Sequence, residues 1–225
     1  MKITVFSDIH NDFAVFANVL KHAKKDIADS DLVVCNGDFI DMFKNDPNEW
    51  LTTAKTVFDK LKRLNKPLLC VPGNHDPPQF LSFLDKEGTN LHLKLVTVSG
   101  FDFIGFGGAT TPAGTNFEPP EDEAEKAITL LVKKTKNPKV FVFHNPPKKT
   151  KLDLALFGQH VGSDILKKLI RKTQPALVLT AHIHESPGLD KIGKSVLFYP
   201  GPVFDGFYGI VTLGEGTPVC VARKV

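Results

Sequence analysis

Five short stretches concentrate the reactive side chains of this sequence. They are Ser7-Asp8-Ile9-His10, Asn36-Gly37-Asp38-Phe39-Ile40-Asp41, Gly73-Asn74-His75-Asp76, His144-Asn145 and Ala181-His182-Ile183-His184. Their ligand-type groups are two carboxylates (Asp8, Asp38), four imidazoles (His10, His144, His182, His184) and the amide oxygen of Asn74. Carboxylate mixed with imidazole suits Mn²⁺, Fe or Zn²⁺ better than Mg²⁺ or Ca²⁺, which prefer oxygen alone. This many donors exceeds what one ion with a position open for substrate can use. It matches two ions bridged by a carboxylate. The expected cofactor is therefore a pair of divalent cations, Mn²⁺ first, with Fe, Zn²⁺ or Ni²⁺ as alternatives. The spacing of Asp8-x-His10 and His182-x-His184 agrees, since residues two apart just past a strand end can face one centre.

Each cluster follows a short apolar run, and these runs alternate with amphipathic stretches. Strands are expected at 2–6, 31–35, 67–71, 140–143, 176–180, 196–199 and 209–213, with one or two β segments within 91–108. Helices are expected at 12–25, 46–64, 79–86, 121–136 and 164–172. The 46–64 helix would open on Asp46, Pro47 and Glu49, and the last would be capped by Ser163. Strand–helix alternation in the first half implies parallel βαβ units, and the β-rich tail adds a second sheet or antiparallel strands. In such an α/β sheet the carboxyl ends of the strands form the ligand edge, so all five clusters can converge there. A long loop is expected over 110–120, and residues 1–225 read as one domain.

The blocks Asp8-x-His10, Gly37-Asp38-x-x-Asp41, Gly73-Asn74-His75-Asp76, His144 and His182-x-His184 together resemble the signature of calcineurin-like metallophosphoesterases. The segments 159–163 and 181–186 are most similar to small archaeal and bacterial members related to cyclic-nucleotide phosphodiesterases. The resemblance implies a four-layer α/β/β/α sandwich with two mixed β-sheets, acting on phosphomono- or phosphodiesters. It implies Asp8, His10 and His184 on one metal, Asn74, His144 and His182 on the other, and Asp38 bridging. It also implies His75 as general acid, oriented by Asp41, and places the loop of His160 near the cleft, within reach of the phosphate. A surface His160 capping the next helix is the equal alternative.

Three departures stand out. Ala181 replaces the usual Gly of the last block, and Tyr199-Pro200-Gly201-Pro202 replaces Asn-Pro-Gly-Ser. Met42-Phe43 follows Asp41 where phosphoprotein phosphatases carry Arg-Gly, so phosphoprotein and dinucleoside-polyphosphate specificities lose support. Phe39, Met42 and Phe43 either favour an apolar leaving group at the mouth or pack the core.

The formal charge of +3 and a basic set that is all Lys except Arg63, Arg171 and Arg223 give no strong nucleic-acid signal. Cys35, Cys70 and Cys220 lie in apolar runs without metal or disulfide spacing, which suggests reduced thiols. No apolar run approaches the ~20 residues of a membrane helix, and no charged-then-apolar leader opens the sequence. A cytoplasmic protein with a phosphate-ester substrate is expected, with homo-oligomerisation left open. Two other readings compete. Gly188-x-x-x-x-Gly193-Lys194-Ser195 fits the phosphate-loop pattern of nucleotide hydrolases, yet its strand-like flanks predict a β-turn. A non-catalytic metal-binding scaffold would lack His75 or Asp41, and both are present.

Overall fold

The computed structural model describes residues 1–110 and 114–225, so positions 111–113 of the loop expected over 110–120 lie outside the described residues. Strand β1 (Lys2–Phe6) leads through helices α1 (Phe13–His22) and α2 (Lys24–Ala28) to β2 (Leu32–Asn36). Helix α3 (Trp50–Lys62) then precedes β3 (Leu68–Val71), and α4 (Gln79–Lys86) follows it. The second half runs β4 (Leu95–Val98), β5 (Phe101–Phe106), α5 (Glu121–Val132), β6 (Lys139–Phe143), α6 (Asp164–Thr173) and β7 (Leu177–Leu179). Four strands close the chain: β8 (Gly188–Ile192), β9 (Ser195–Tyr199), β10 (Phe207–Thr212) and β11 (Val219–Lys224).

Two mixed sheets result. One is ordered β11-β10-β1-β2-β3, with β1, β2 and β3 parallel and β10 antiparallel to both its neighbours. The other is ordered β4-β5-β6-β7-β9-β8, parallel from β5 to β9 with an antiparallel strand at each edge. Side chains alternate with the two-residue period of a pleated strand. Ile3, Val5, Leu32, Val34 and Val71 meet Phe103, Val140, Val142, Leu179 and Phe198 in the core between the sheets. The opposite faces of the first sheet, with Phe6, Val33, Cys35 and Cys70, pack under α1, α3 and α4. Those of the second, with Phe141, Phe143, Val178 and Leu197, pack under α5 and α6. Each fully buried aliphatic side chain contributes roughly 1.5–3 kcal/mol. The layers are therefore α/β/β/α, as the resemblance implied.

Local corrections have identifiable causes. Helix α3 starts at Trp50, not at Asp46, because Asp46 uses its carboxylate in a turn, accepting the Asn48 amide at 2.8 Å. The helix expected over 12–25 divides at Ala23 into α1 and α2. Ser163 caps α6 as expected, its Oγ accepting the Leu166 amide at 3.0 Å. The segment 188–195 is a hairpin in which Gly193 and Lys194 join β8 to β9. No helix opens there, so the phosphate-loop geometry is absent. Among the described residues, no helix is long and apolar enough to cross a membrane.

Candidate metal centre

The carboxyl ends of β1, β2 and β3 come from one sheet, and those of β6 and β7 from the other. They are laced together by the backbone. The Asp8 amide donates to Gly37 O at 3.0 Å, and the amides of Ile9 and His10 both donate to Asp38 O at 2.8 and 3.0 Å. Across the sheets, Asn36 Nδ2 donates to Phe143 O at 3.1 Å. Asp8, His10, Asn11, Asp38 and His182 all hold positive φ, between 44° and 76°. Each such non-glycine residue is strained by an amount of order 1–3 kcal/mol, and strain of this kind gathers at functional sites.

Three groups of donor atoms lie within 4.8 Å of one another: Asp8, His10, Asp38 and His184; Asp38, His144 and His182; and His10, Asp41 and His75. Asp38 belongs to the first two. Its Oδ2 stands 3.4 Å from His10 Nε2 and 3.4 Å from His144 Nε2. His10 Nε2 and His184 Nε2 face each other at 3.3 Å, and Asp8 Oδ1 is 3.5 Å from His184 Nε2. Asn74 Oδ1 lies 3.0 Å from His144 Nε2. Converging imidazole nitrogens and buried carboxylate oxygens are a donor set that fits divalent cations. Among the described residues, then, all seven predicted ligands come together.

The surrounding groups set their orientation and charge. His144 Nδ1 donates to Asn36 O at 2.7 Å, leaving Nε2 as the donor atom toward Asn74 and Asp38. Burial alone would pull His144 down, but the carboxylates of Asp38 and Asp8 carry it up to about 9. Burial also works against ionised Asp38, yet His144 and His10 hold it well below the usual carboxylate range. Asp8 is likewise lowered against its burial, chiefly by His184. Desolvation and the neighbouring His144 draw His182 down to about 3, so its imidazole is neutral and able to bind metal.

His75 sits at the cleft, its ring 4.8 Å from that of His10 and nearly perpendicular to it. Its Nδ1 accepts the Met42 amide at 3.3 Å, which puts the proton of the neutral ring on Nε2. Asp41 Oδ1 is 3.8 Å from His75 Nδ1, too far for a hydrogen bond, and instead accepts the Phe43 amide at 3.0 Å. Lys44 Nζ pairs with Asp41 Oδ2 at 3.0 Å. Burial lowers His75. His160 Nδ1 meets Asp153 Oδ1 at 2.8 Å, and His160 joins none of the three donor groups.

Three further residues touch the site without a role assigned to them from the sequence. Asp76 stands in its block without an assigned role. It is fully buried and accepts the amides of Gly73 (2.7 Å), Phe39 (2.9 Å) and Ile40 (3.2 Å), tying the β2 and β3 loops together. Burial and the charge of Asp38 push it up to about 7. Tyr199 donates its hydroxyl to Asp8 Oδ2 at 2.9 Å. Phe204 packs against His10 and His184, with ring centroids 5.3 and 4.8 Å apart. Of the three apolar residues near the mouth, Phe39 is core, 4.8 Å from Phe80, whereas Phe43 is exposed and 5.3 Å from His75.

The family model of calcineurin-like phosphoesterases matches residues 1–186. The uncharacterized protein MJ1162 of Methanocaldococcus jannaschii is 32% identical over 227 residues, covering 96% of each chain. Among solved structures, TT1561 of Thermus thermophilus superposes with a TM-score of 0.76 at 21% identity, covering 99% of this chain and 98% of its own. A dimetal phosphatase from Danio rerio superposes with a TM-score of 0.72 at 13% identity, covering 100% and 96%. At these identities the two structures speak for the fold.

Proposed function

Because the chain belongs to the calcineurin-like phosphoesterase family, we propose that it hydrolyses phosphomono- or phosphodiesters at a two-metal centre, with residues 1–225 acting as one domain. The observation that carries this reading is the position of Asp38 Oδ2, 3.4 Å from an imidazole nitrogen of each donor group. Asp8, His10 and His184 would hold one cation, Asn74, His144 and His182 the other, and Asp38 both; Mn²⁺ is the first candidate. When bound, such a pair supplies the Lewis acidity that lowers the pKa of water and neutralises phosphoryl oxygens.

The protein's own groups account for the rest. Water oxygen joins phosphorus as the bond from phosphorus to the alcohol oxygen breaks. The departing oxygen takes a proton from Nε2 of His75 in its imidazolium form, in which Nδ1 gives up the Met42 amide. The proton released by the attacking water restores the charge of the ring. Asp41 supports His75 as a nearby negative charge rather than as a hydrogen-bond partner.

The test is a metal-by-substrate screen. Protein stripped with chelator is reloaded with Mn²⁺, Fe²⁺, Zn²⁺ or Ni²⁺, then assayed on mono- and bis-nitrophenyl phosphate alongside metal analysis. Two ions per chain with metal-dependent turnover are expected, and Asp38→Asn should lose most of both. Undiminished turnover in chelator, or full occupancy and activity in Asp38→Asn, would overturn the reading.

A further inference from the structure

Two phenyl rings flank the cleft at its mouth, and hydrolysis as described gives neither of them work. Phe43 follows Asp41 by two residues and is 74% exposed, an unusual position for so large an apolar side chain beside a cluster of ionisable groups. Its ring is 5.3 Å from the His75 ring, at 89° to it. Phe204, in the short turn between β9 and β10, closes the other end of the arc against His10 and His184. Between them lies a cleft of about 340 Å³. That is the lower end of the small-molecule range.

The charges lining the cleft narrow the choice further. Lys44 is the only lysine or arginine among its lining residues, and its ammonium already pairs with Asp41. Asp12 adds a second carboxylate to the outer wall. A second phosphate or an acidic peptide would find no spare cation there. A neutral planar ring would cover exposed phenyl surface and stack on it.

We propose that Phe43 and Phe204 form a leaving-group subsite that takes a planar ring, making the substrate a phosphoester of a ring-bearing neutral alcohol. The proposal rests on the phosphoesterase reading above. A nucleoside and a simple arylmethyl alcohol share this chemistry, and the experiment separates them.

Mn²⁺-loaded protein is assayed on two matched pairs. Benzyl phosphate is compared with cyclohexylmethyl phosphate, and adenosine 5′-monophosphate with ribose 5-phosphate. Both members of each pair expel a primary alkoxide, so the demand on His75 is the same. The ring-bearing ester should be preferred by about 10-fold in kcat/KM, the scale that stacking on an aromatic side chain supplies. Preference in both pairs identifies a general arene subsite, and in the second pair alone a nucleoside subsite; either supports the proposal. Phe43→Leu, at an exposed position that leaves the core intact, should bring the preference toward unity, and Phe43→Trp should raise it. Equal rates within both pairs, or an unchanged preference in Phe43→Leu, overturn the subsite while leaving the phosphoesterase standing. If no ester of any kind is turned over, the phosphoesterase reading fails instead. Benzylphosphonate and cyclohexylmethylphosphonate binding then decides the subsite, read from the fluorescence of Trp50, whose indole donates to Asn45 O in the loop that carries Phe43. Equal affinities there reject it.

Discussion

Tyr199, at the end of β9, donates its hydroxyl proton to Asp8 Oδ2 at 2.9 Å, across 191 positions of sequence. The other oxygen of Asp8 accepts the His182 amide at 3.1 Å and faces His184 Nε2 at 3.5 Å. Burial and the charge of Asp8 raise the phenol well above its ordinary value, so it stays a donor at any working pH. Tyr199→Phe should cost about 1–3 kcal/mol in the metal-free protein, because a buried carboxylate oxygen loses its partner. Metal affinity should fall by roughly 10- to 100-fold, the usual effect of removing a group that orients a ligand. Thermal unfolding in chelator and competitive metal titration measure the two effects. Unchanged affinity would show that Tyr199 is only a packing residue.

Gly73 is demanded by space, since a Cβ there would collide with the Asp38 carboxylate and its backbone nitrogen. Asp38 Oδ1 already accepts the His75 amide at 2.9 Å, so the carboxylate cannot swing away without freeing that loop. Gly73→Ala should therefore lower metal retention and destabilise by about 1–3 kcal/mol, as overpacking does. Gly214→Ala, whose added methyl meets nothing within 4 Å, is the matched control and should be close to neutral. Metal content and chemical denaturation of the two variants would expose the idea as wrong if they coincided.

The convergence of the seven candidate donors was legible in the sequence because each follows a strand whose apolar alternation marks its own end. In a parallel sheet those ends share one edge. Tyr199 and Phe204 were not legible for the converse reason. Each reaches the site through contacts with residues distant in sequence, and an aromatic side chain at a strand end reads as core. The strand β11 was missed because Val219–Lys224 is largely exposed and ends in Arg223 and Lys224, so no buried face patterns it. The misplaced start of α3 has a local cause. Asp46 and Pro47 satisfy a helix-opening pattern, but the same carboxylate also closes a turn, and Trp50 anchors that turn through Asn45 O.

His144 gives the metal-free protein a pH signature. Its folded pKa, about 9, lies above the ordinary histidine value near 6.5, so the folded state binds the extra proton between those limits. The stabilisation is complete below about 6.5 and is lost as pH rises through about 9. One proton corresponds to at most about 1.4 kcal/mol per pH unit. His184, also raised by Asp8, acts with the same sign. Asp76, pushed up to about 7, is half-titrated there and nearly complete a pH unit higher, so the histidines dominate the upper part of the interval toward 9. Denaturation midpoints in chelator should fall across that interval, less steeply in His144→Gln. With saturating metal the decline should vanish, since a bound imidazole is neutral. Parallel curves for wild type and His144→Gln would remove the assignment.

The last prediction concerns the proton that leaves with the alcohol. His75 can give up a proton only as the imidazolium, in which Nδ1 no longer accepts the Met42 amide and Nε2 is the nitrogen that donates. A general acid matters in proportion to how badly the departing oxygen needs its proton. An alkoxide needs it badly, and a nitrophenolate, already stable as an anion, hardly at all. His75→Ala should thus slow a benzyl or nucleoside ester by about 10²–10⁴-fold, the span of a positioned acid. It should slow the nitrophenyl ester far less, with metal content near wild type. Asp41→Asn is the sharper comparison. With 3.8 Å between Asp41 Oδ1 and His75 Nδ1, the carboxylate acts by charge alone. The same leaving-group trend should therefore appear at smaller amplitude, and it should weaken with added salt as a charge effect at a partly open cleft does. Equal slowing of both ester types by His75→Ala would instead mark a phosphate-binding or ligand role, and metal analysis of that variant would tell which.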